Sequence, residues 1–142
     1  MNADNSIGFG LLQVAAIMSH HADQTLQSNL NFGYSQYKIL SVIIEAGRYR
    51  QVDIAGILGQ TEASISRQIK LMESDELVKI KLNANNRREH LVYVTLKGAR
   101  RYEKATRVLN HLFQPIFNTL SENQLIGLGQ SLSQIRIHLD NQ

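Results

Sequence analysis

The first third of the chain repeats apolar residues at helical spacing. Spacings of three or four residues predict a long amphipathic helix over about residues 6–28, carried by Ile7, Leu11, Val14, Met18, Ala22 and Leu26. Asn31-Phe32-Gly33 then interrupts the pattern. Ser35 is a good N-cap for a second helix, which closes at Gly47 and whose apolar residues are Ile39, Leu40, Ile43 and Ile44.

The middle of the chain predicts two short helices joined by a tight turn. The third helix runs from about residue 51 to 58, with a buried face of Val52, Ile54, Ala55 and Leu58. Gly59-Gln60 is the turn, and Thr61 is the N-cap of a fourth helix that ends near Asp75. In this fourth helix Ile65, Ile69 and Met72 point inward. The outward positions are Ala63, Ser64, Arg67, Gln68 and Lys70.

After Leu77 the apolar period changes from helical to two. Val78, Ile80 and Leu82 alternate with Lys79 and Lys81, and a second strand is expected from His90 to Val94. A polar turn with Asn86, Arg87 and Arg88 lies between the strands. One helix that fits a major groove, followed by an arginine-tipped ribbon that reaches a minor groove, is what a winged helix-turn-helix uses to hold duplex DNA.

The last third of the chain predicts two further helices. Thr95 caps a long fifth helix with the apolar residues Leu109, Leu112, Phe113 and Ile116, and Pro115 should kink or end it. Ser121 and Gln124 form a capping box for a sixth helix. Its apolar seam, at 3-4-3-4 spacing, is Leu125, Leu128, Leu132, Ile135 and Leu139. This seam suits pairing with a second copy of the chain, and packing against the chain's own DNA-binding region is the alternative.

Charge is distributed unevenly along the 142 residues. Between Arg67 and Lys104 there are ten basic residues against five acidic ones, whereas the rest of the chain has five against seven. The positive field is therefore expected on the ribbon and the elements beside it, as on a surface that binds a polyanion. A solvated charged surface is the alternative. Lys79 and Lys81 in particular suit phosphate contact and solubility equally well.

Composition excludes several classes of function. The chain has no cysteine, so disulfides, thiolate metal sites and cysteine nucleophiles are excluded. The sequence shows neither a signal peptide nor an apolar run long enough to span a bilayer, and a cytoplasmic location is expected. We expect no cofactor and no enzymatic activity, because the usual catalytic motifs are absent. His20 and His21 are adjacent and diverge on a helix, so a chelating pair is not expected.

Several motifs in a fixed order resemble the MarR (multiple antibiotic resistance regulator) family. They are Leu58-Gly59-Gln60-Thr61-Glu62-Ala63-Ser64-Ile65-Ser66-Arg67, Leu71-Met72-Glu73-Ser74-Asp75-Glu76-Leu77-Val78, Asn86-Arg87-Arg88 and Val94-Thr95-Leu96-Lys97-Gly98. The resemblance extends over essentially the whole chain. It implies a homodimer that binds a pseudo-palindromic operator, usually as a repressor, and that is released by small phenolic or other anionic ligands.

The resemblance also implies an organisation and a set of site residues. Residues 35–95 would be the winged helix-turn-helix, and residues 1–34 and 96–142 the helical dimerisation region of the same continuous domain. The expected DNA-binding residues are Thr61, Ala63, Ser64, Arg67, Gln68, Lys70, Asn86, Arg87 and Arg88. For Thr61 a capping role alone is the alternative, and for Ser64 an ordinary surface position.

Two positions depart from the family pattern. Asn86 stands where the family usually has an aspartate that orients a wing arginine, and an amide orients it less strongly than a carboxylate. Glu76 stands where the family usually has glycine at the exit of the helix, which is costly if that residue needs a positive φ.

An effector cleft is a further expectation from the resemblance. Met18, His21, Tyr34, Tyr37 and His111 would border it, and ordinary core packing explains the same residues without a ligand. Two other functions stay open at this point. One is a winged-helix protein-interaction module that does not bind an operator, and the other is a metal-responsive regulator of the same fold.

Overall fold

The computed structural model describes residues 3–142, except for the side chains of residues 3, 4 and 87. The order of elements is α1 (Ala3–Leu30), α2 (Tyr34–Ala46), β1 (Arg48–Arg50), α3 (Gln51–Leu58), α4 (Glu62–Ser74), β2 (Val78–Asn83), β3 (Asn86–Val94), α5 (Leu96–Phe117) and α6 (Glu122–Asp140). One compact unit extends to Leu109, and Asn110–Gln142 form a second. The fold is mainly helical with a small sheet, as predicted.

The hydrophobic core of the first unit is built from one face of each of its helices and of the sheet. Each fully buried aliphatic side chain contributes about 1.5–3 kcal/mol relative to exposure, so this core provides most of the stability of the unit. The largest fully buried side chains are Leu26, Phe32, Ile39, Leu40, Ile43, Ile54, Ile65, Ile69, Met72, Leu77, Val78 and Val92. The predicted inward face of the fourth helix is confirmed by Ile65, Ile69 and Met72.

The start of α2 differs from the prediction. Gly33, rather than Ser35, is the N-cap residue, and the helix already begins at Tyr34. The Tyr34 N–H donates to Asp23 Oδ1 of α1 at 2.9 Å. A carboxylate from another helix therefore satisfies this terminal donor, and α2 begins one residue before the predicted cap.

The sheet has three antiparallel strands in the order β1-β3-β2. Strand β1 was not predicted, because it has only three residues and two of them are arginines. It pairs with β3 through Arg48 opposite Tyr93 and Arg50 opposite Leu91. The non-local pairing with β3, rather than any local pattern, therefore defines this strand.

The second unit contains the end of α5 and all of α6. Pro115 lies two residues before the end of α5, in agreement with the prediction that it ends the helix. Ser121 and Gln124 form the predicted capping box, with Ser121 Oγ accepting from the Gln124 N–H at 3.2 Å. Within the described residues, no side chain of α6 is buried, and the predicted apolar seam is 36–64% exposed.

Helix α4 ends in a Schellman motif with glutamate at the position that glycine usually occupies. The Leu77 N–H donates to the Met72 carbonyl and the Glu76 N–H to the Glu73 carbonyl, both at 2.9 Å. Glu76 has φ 61°. Thus the residue that departs from the family pattern is held in the left-handed region, where a side chain is disfavoured by about 1–2 kcal/mol.

Glu76→Gly should therefore stabilise the protein, by about 0.5–1 kcal/mol once the greater freedom of glycine in the unfolded chain is subtracted. The ion pair that is lost is weak, because Lys97 Nζ and Glu76 Oε2 are 3.8 Å apart and both side chains are exposed. Asn31→Gly is the matched control, since Asn31 also has positive φ (49°) but asparagine tolerates that conformation. Equal effects of the two variants in denaturant titrations would contradict the strain at Glu76.

Gly98 lies in the first turn of α5, directly against the backbone at the end of α4. A Cβ atom at this position would overlap the carbonyl oxygen of Leu77. That oxygen also accepts the Thr95 N–H at 3.1 Å. Thr95 Oγ1 in turn accepts from the Gly98 N–H at 3.0 Å, which confirms the predicted cap of α5. The contact therefore fixes the entry of α5 relative to the exit of α4.

We expect Gly98→Ala to destabilise the protein by about 2 kcal/mol or more, because backbone must move to admit the methyl group. Gly56→Ala is the control, since it lies within α3 and a Cβ there meets no atom within 4 Å. That control should gain about 0.5–1 kcal/mol from helix propensity. Thermal or denaturant unfolding measures both, and a neutral Gly98→Ala would show that the junction is not tightly packed.

Candidate nucleic-acid interface

The helix-turn-helix is formed by α3 and α4 with the turn at Gly59 and Gln60. Gly59 has φ 63°, and the Gln60 N–H returns to the Ala55 carbonyl at 3.0 Å. Thr61 Oγ1 accepts from the Ser64 N–H at 3.1 Å, so the predicted N-cap is confirmed. A glycine turn and a side-chain cap thus set where α4 begins.

The outward face of α4 carries the polar residues predicted from its periodicity. Thr61, Ala63, Arg67 and Lys70 are exposed, whereas Ser64 and Gln68 are half-buried. Ala63, Arg67 and Lys70 are four and three residues apart and therefore lie on one side of the helix. The small Ala63 leaves the N-terminal half of this face open, and the two cations follow it.

The wing is the hairpin of β2 and β3, and its turn is shorter than the sequence predicted. Strand β3 already begins at Asn86, so Asn86, Arg87 and Arg88 belong to the strand rather than to a long turn, and only Ala84 and Asn85 form the turn. The register shifts between Leu82, which pairs with His90, and Asn83, which pairs with Asn86. The extra residues of β3 form an irregular segment, which ends the regular ladder below the wing tip.

Asn86 organises this segment through the backbone. Its Oδ1 accepts the N–H of Arg88 at 3.1 Å. The side chain of Arg88 is exposed, and that of Arg87 lies outside the described residues. Lys79 and Lys81 are exposed on β2, where Lys81 Nζ lies 5.3 Å from the centre of the Tyr93 ring.

A cleft of about 180 Å³ separates the wing from the helix-turn-helix. Its lining comprises Arg50, Gln51, Val52, Glu62, Arg88, Glu89 and His90. Val52, predicted to be buried, is 46% exposed because it borders this cleft. Arg88 of the wing thus lines the same cleft as the first turns of α3 and α4.

Arg50 was not among the predicted site residues, although it connects three elements at this cleft. Its Nε and Nη2 donate to Asp53 at 2.6 and 2.9 Å, and its Nη1 donates to Glu89 Oε1 at 2.8 Å. Glu89 Oε2 also accepts from Asn83 Nδ2 at 2.9 Å. The sequence offered a partial signal, because Arg50 and Asp53 are three residues apart at a helix start.

These contacts shift the pKa values of Arg50 and Glu89. The hydrogen bonds to Asp53 and Glu89 raise the pKa of Arg50 above its usual value. Hydrogen bonds from Arg50 and then Asn83 lower the pKa of Glu89. All four side chains are solvated to some degree, so their main effect is to define geometry rather than to stabilise the fold.

The predicted effector residues differ in their contacts, their exposure and the compact unit to which they belong. Tyr34 and Tyr37 stack with ring centres 6.1 Å apart, and Tyr102 of α5 extends the stack at 5.0 Å from Tyr37. Burial raises the pKa of Tyr34 and of Tyr102. Met18 is half-buried and His21 is exposed, whereas His111 belongs to the second unit. Tyr102 was missed by the sequence analysis because a lone tyrosine in a basic helix gives no signal.

The arrangement of α3, α4 and the β2–β3 wing defines a winged helix-turn-helix protein. Residues 33–90 match the model of the MarR family. The match covers the winged helix-turn-helix region, and the fold of nearly the whole chain is similar to solved structures of MarR family regulators. The family consists of transcriptional regulators rather than enzymes.

Solved structures show the same fold. AbsC, a MarR family transcriptional regulator from Streptomyces coelicolor, is 25% identical with a TM-score of 0.79 and covers 100% of this chain and 98% of its own. Apo MarR from E. coli is 22% identical with a TM-score of 0.81, and the alignment covers 90% of this chain and 94% of that one. A mutant of E. coli MarR complexed with operator DNA is 22% identical with a TM-score of 0.74, and the alignment covers 95% of this chain and 99% of that one.

An organohalide-sensing regulator, RdhR, in the 2,4-dichlorophenol bound form is 16% identical with a TM-score of 0.79, covering 97% of this chain and 82% of its own. No curated protein matches the chain in sequence. In the described part of the chain, no helix is long and apolar enough to cross a membrane.

Proposed function

We propose that this protein is a sequence-specific regulator that binds duplex DNA as a homodimer on a pseudo-palindromic operator. The observation that carries the proposal is the exposed face of α4, where Arg67 and Lys70 follow the open position of Ala63. The helix lies beside a wing that presents Arg88. Arg67 reaches base edges in the major groove, and one of the wing arginines Arg87 and Arg88 enters the adjacent minor groove.

The remaining predicted contacts follow from this placement. Lys70 meets a phosphate, Thr61 and Ser64 at the helix N-terminus favour a second phosphate, and half-buried Gln68 supports the same face. Asn86 holds the backbone of Arg88 through its 3.1 Å hydrogen bond and acts on the DNA indirectly. In this division, residues 35–95 bind DNA and the flanking helices dimerise.

Dimerisation is supported by two apolar surfaces. The N-terminal half of α1 exposes Ile7, Phe9, Leu12, Val14 and Ile17 by 51–70%. The seam of α6 is the second surface. Large apolar side chains exposed in this number along a helix are typical of association sites. A two-fold dimer would present two α4 helices to two half-sites of the operator.

We further propose that binding represses transcription and responds to a small phenolic or anionic effector near Tyr34 and Tyr37. The stacked tyrosines provide an aromatic wall, and Lys38 Nζ lies 5.2 Å from the Tyr34 ring centre. A cation beside an aromatic wall suits a phenolic or carboxylate ligand. Met18 and His21 are the other residues of the first unit that we place near this effector site.

Sedimentation should show a species of about twice the 16.0 kDa chain mass at micromolar concentration. Leu132→Lys should dissociate it, because a charge in the seam is desolvated on pairing. Leu71→Lys is the control, since Leu71 is 57% exposed on α4 and Leu132 45% exposed on α6. A monomeric wild type, or a dimer that Leu132→Lys leaves intact, would contradict the role of the seam.

Titrations with duplexes selected from a random pool test the two DNA-reading elements separately. Arg67→Ala should cost about 1–3 kcal/mol on the preferred operator and relax the preference at one position of each half-site. Arg88→Ala should weaken binding to many duplexes, most strongly where the outer flank is A·T-rich and its minor groove narrow.

Arg107→Ala removes the same charge from an exposed site on α5 and is the control. It should have little effect on either class of duplex. Equal losses for all three variants on every duplex would mean that these residues act only as bulk charge. The assignment of base readout to α4 and shape readout to the wing would then be wrong.

A further inference from the structure

Arg50 is exposed at the cleft beside the wing, and two explanations account for its role there. Electrostatics alone would make it another phosphate contact. Its geometry differs from that of a free cation, because three of its nitrogen atoms already donate to carboxylates at 2.6–2.9 Å. Three of the five N–H donors of the guanidinium are engaged, and the two carboxylates that accept them repel a phosphate from the remaining two.

The partners of Arg50 come from separate elements. Asp53 lies in the first turn of α3, Glu89 lies on β3, and Arg50 itself ends β1. The second oxygen of Glu89 accepts a hydrogen bond from Nδ2 of Asn83, which is the last residue of β2. The four side chains therefore join the helix-turn-helix to both strands of the wing.

The network lies where the hairpin loses its regular backbone pairing. The ladder between β2 and β3 changes register between Leu82 and Asn83, opposite the segment that contains Glu89. Regular backbone pairing is interrupted there, so side chains must define the angle of the wing tip. Asn83 and Glu89 bond across this point at 2.9 Å, and Arg50 connects them to the rest of the domain.

We propose that Arg50 and Glu89 form a clamp that positions the wing for the minor groove, with Arg50 acting as a positioning residue and not as a DNA contact. The inference rests on the proposed DNA-binding function. An isolated exposed ion pair adds little to stability, so the clamp acts on wing order and DNA affinity.

The direction in which Glu89→Gln changes DNA affinity distinguishes the two explanations. Glu89→Gln removes a negative charge next to DNA, so electrostatics alone predicts tighter binding. The clamp predicts weaker binding, by about two- to fivefold, because Arg50 loses its link to the wing. Glu62→Gln is the matched control, since Glu62 borders the same cleft and belongs to no contact of the clamp. It should bind as tightly as the wild type or more tightly.

Arg50 variants provide a second test. Arg50→Lys retains the charge but cannot hold Asp53 and Glu89 in one planar fork, so it should weaken binding about as much as Arg50→Gln. The slope of log affinity against log salt should stay the same for both, whereas loss of a phosphate contact lowers it by about one. Rescue by lysine together with a lower slope for Arg50→Gln would overturn the proposal.

The probe is the duplex that the wild-type protein selects from a random pool, and a second readout does not use DNA. Amide hydrogen exchange of residues 83–90 in the free protein should be faster in Glu89→Gln and Arg50→Gln than in Glu62→Gln, with global stability unchanged. Unchanged exchange, or tighter binding by Glu89→Gln, would overturn the clamp. A wild-type protein that selects no duplex would instead refute the proposed function, while the exchange data would still test the clamp.

Discussion

The carbonyl group of Leu77 is the contact on which the arrangement of the DNA-binding region depends. It accepts the Thr95 N–H at 3.1 Å, and Gly98 lies so close to it that a side chain at 98 would overlap its oxygen. The exit of α4, the start of β2, the end of β3 and the entry of α5 therefore meet at one point. Because Glu76 adopts a positive φ to reach this point, the fold accepts local strain there in exchange for a fixed junction.

A rigid junction at the base of the wing contrasts with the irregular hairpin at its tip. At the base, buried Leu77, Val78 and Val92 and the Gly98 contact fix the strands. Toward the tip the register changes, and exposed polar side chains such as Arg50 and Glu89 take over. Backbone pairing and burial determine where the wing begins, whereas solvated ion pairs and Asn86 define the tip. Such a division suits a ribbon that must adapt its tip to a groove while its base stays in place.

The parts of the fold that were predictable have short-range causes. The bounds of α3, the Thr61 cap, the inward face of α4 and the Ser121–Gln124 capping box follow from residues within one or two turns of each other. The errors have long-range causes. Ser35 does not cap α2 because the helix already begins at Tyr34, whose N–H donates to Asp23 of another helix. Likewise, β1 exists only through its pairing with β3, so Arg50 could not be placed at the wing.

The sequence by itself determined the class of this protein: helical periods, caps and the order of the family motifs suffice for a winged helix-turn-helix with Arg67 on its outward face. These signals survive in a linear sequence because each acts over a few residues. Only the tertiary structure decided that Asn86 and Arg88 belong to a strand, that Val52 borders a cleft and that Arg50 bonds Glu89. Arg50 and Glu89 are 39 residues apart, and only the folded chain brings such a pair within hydrogen-bond distance.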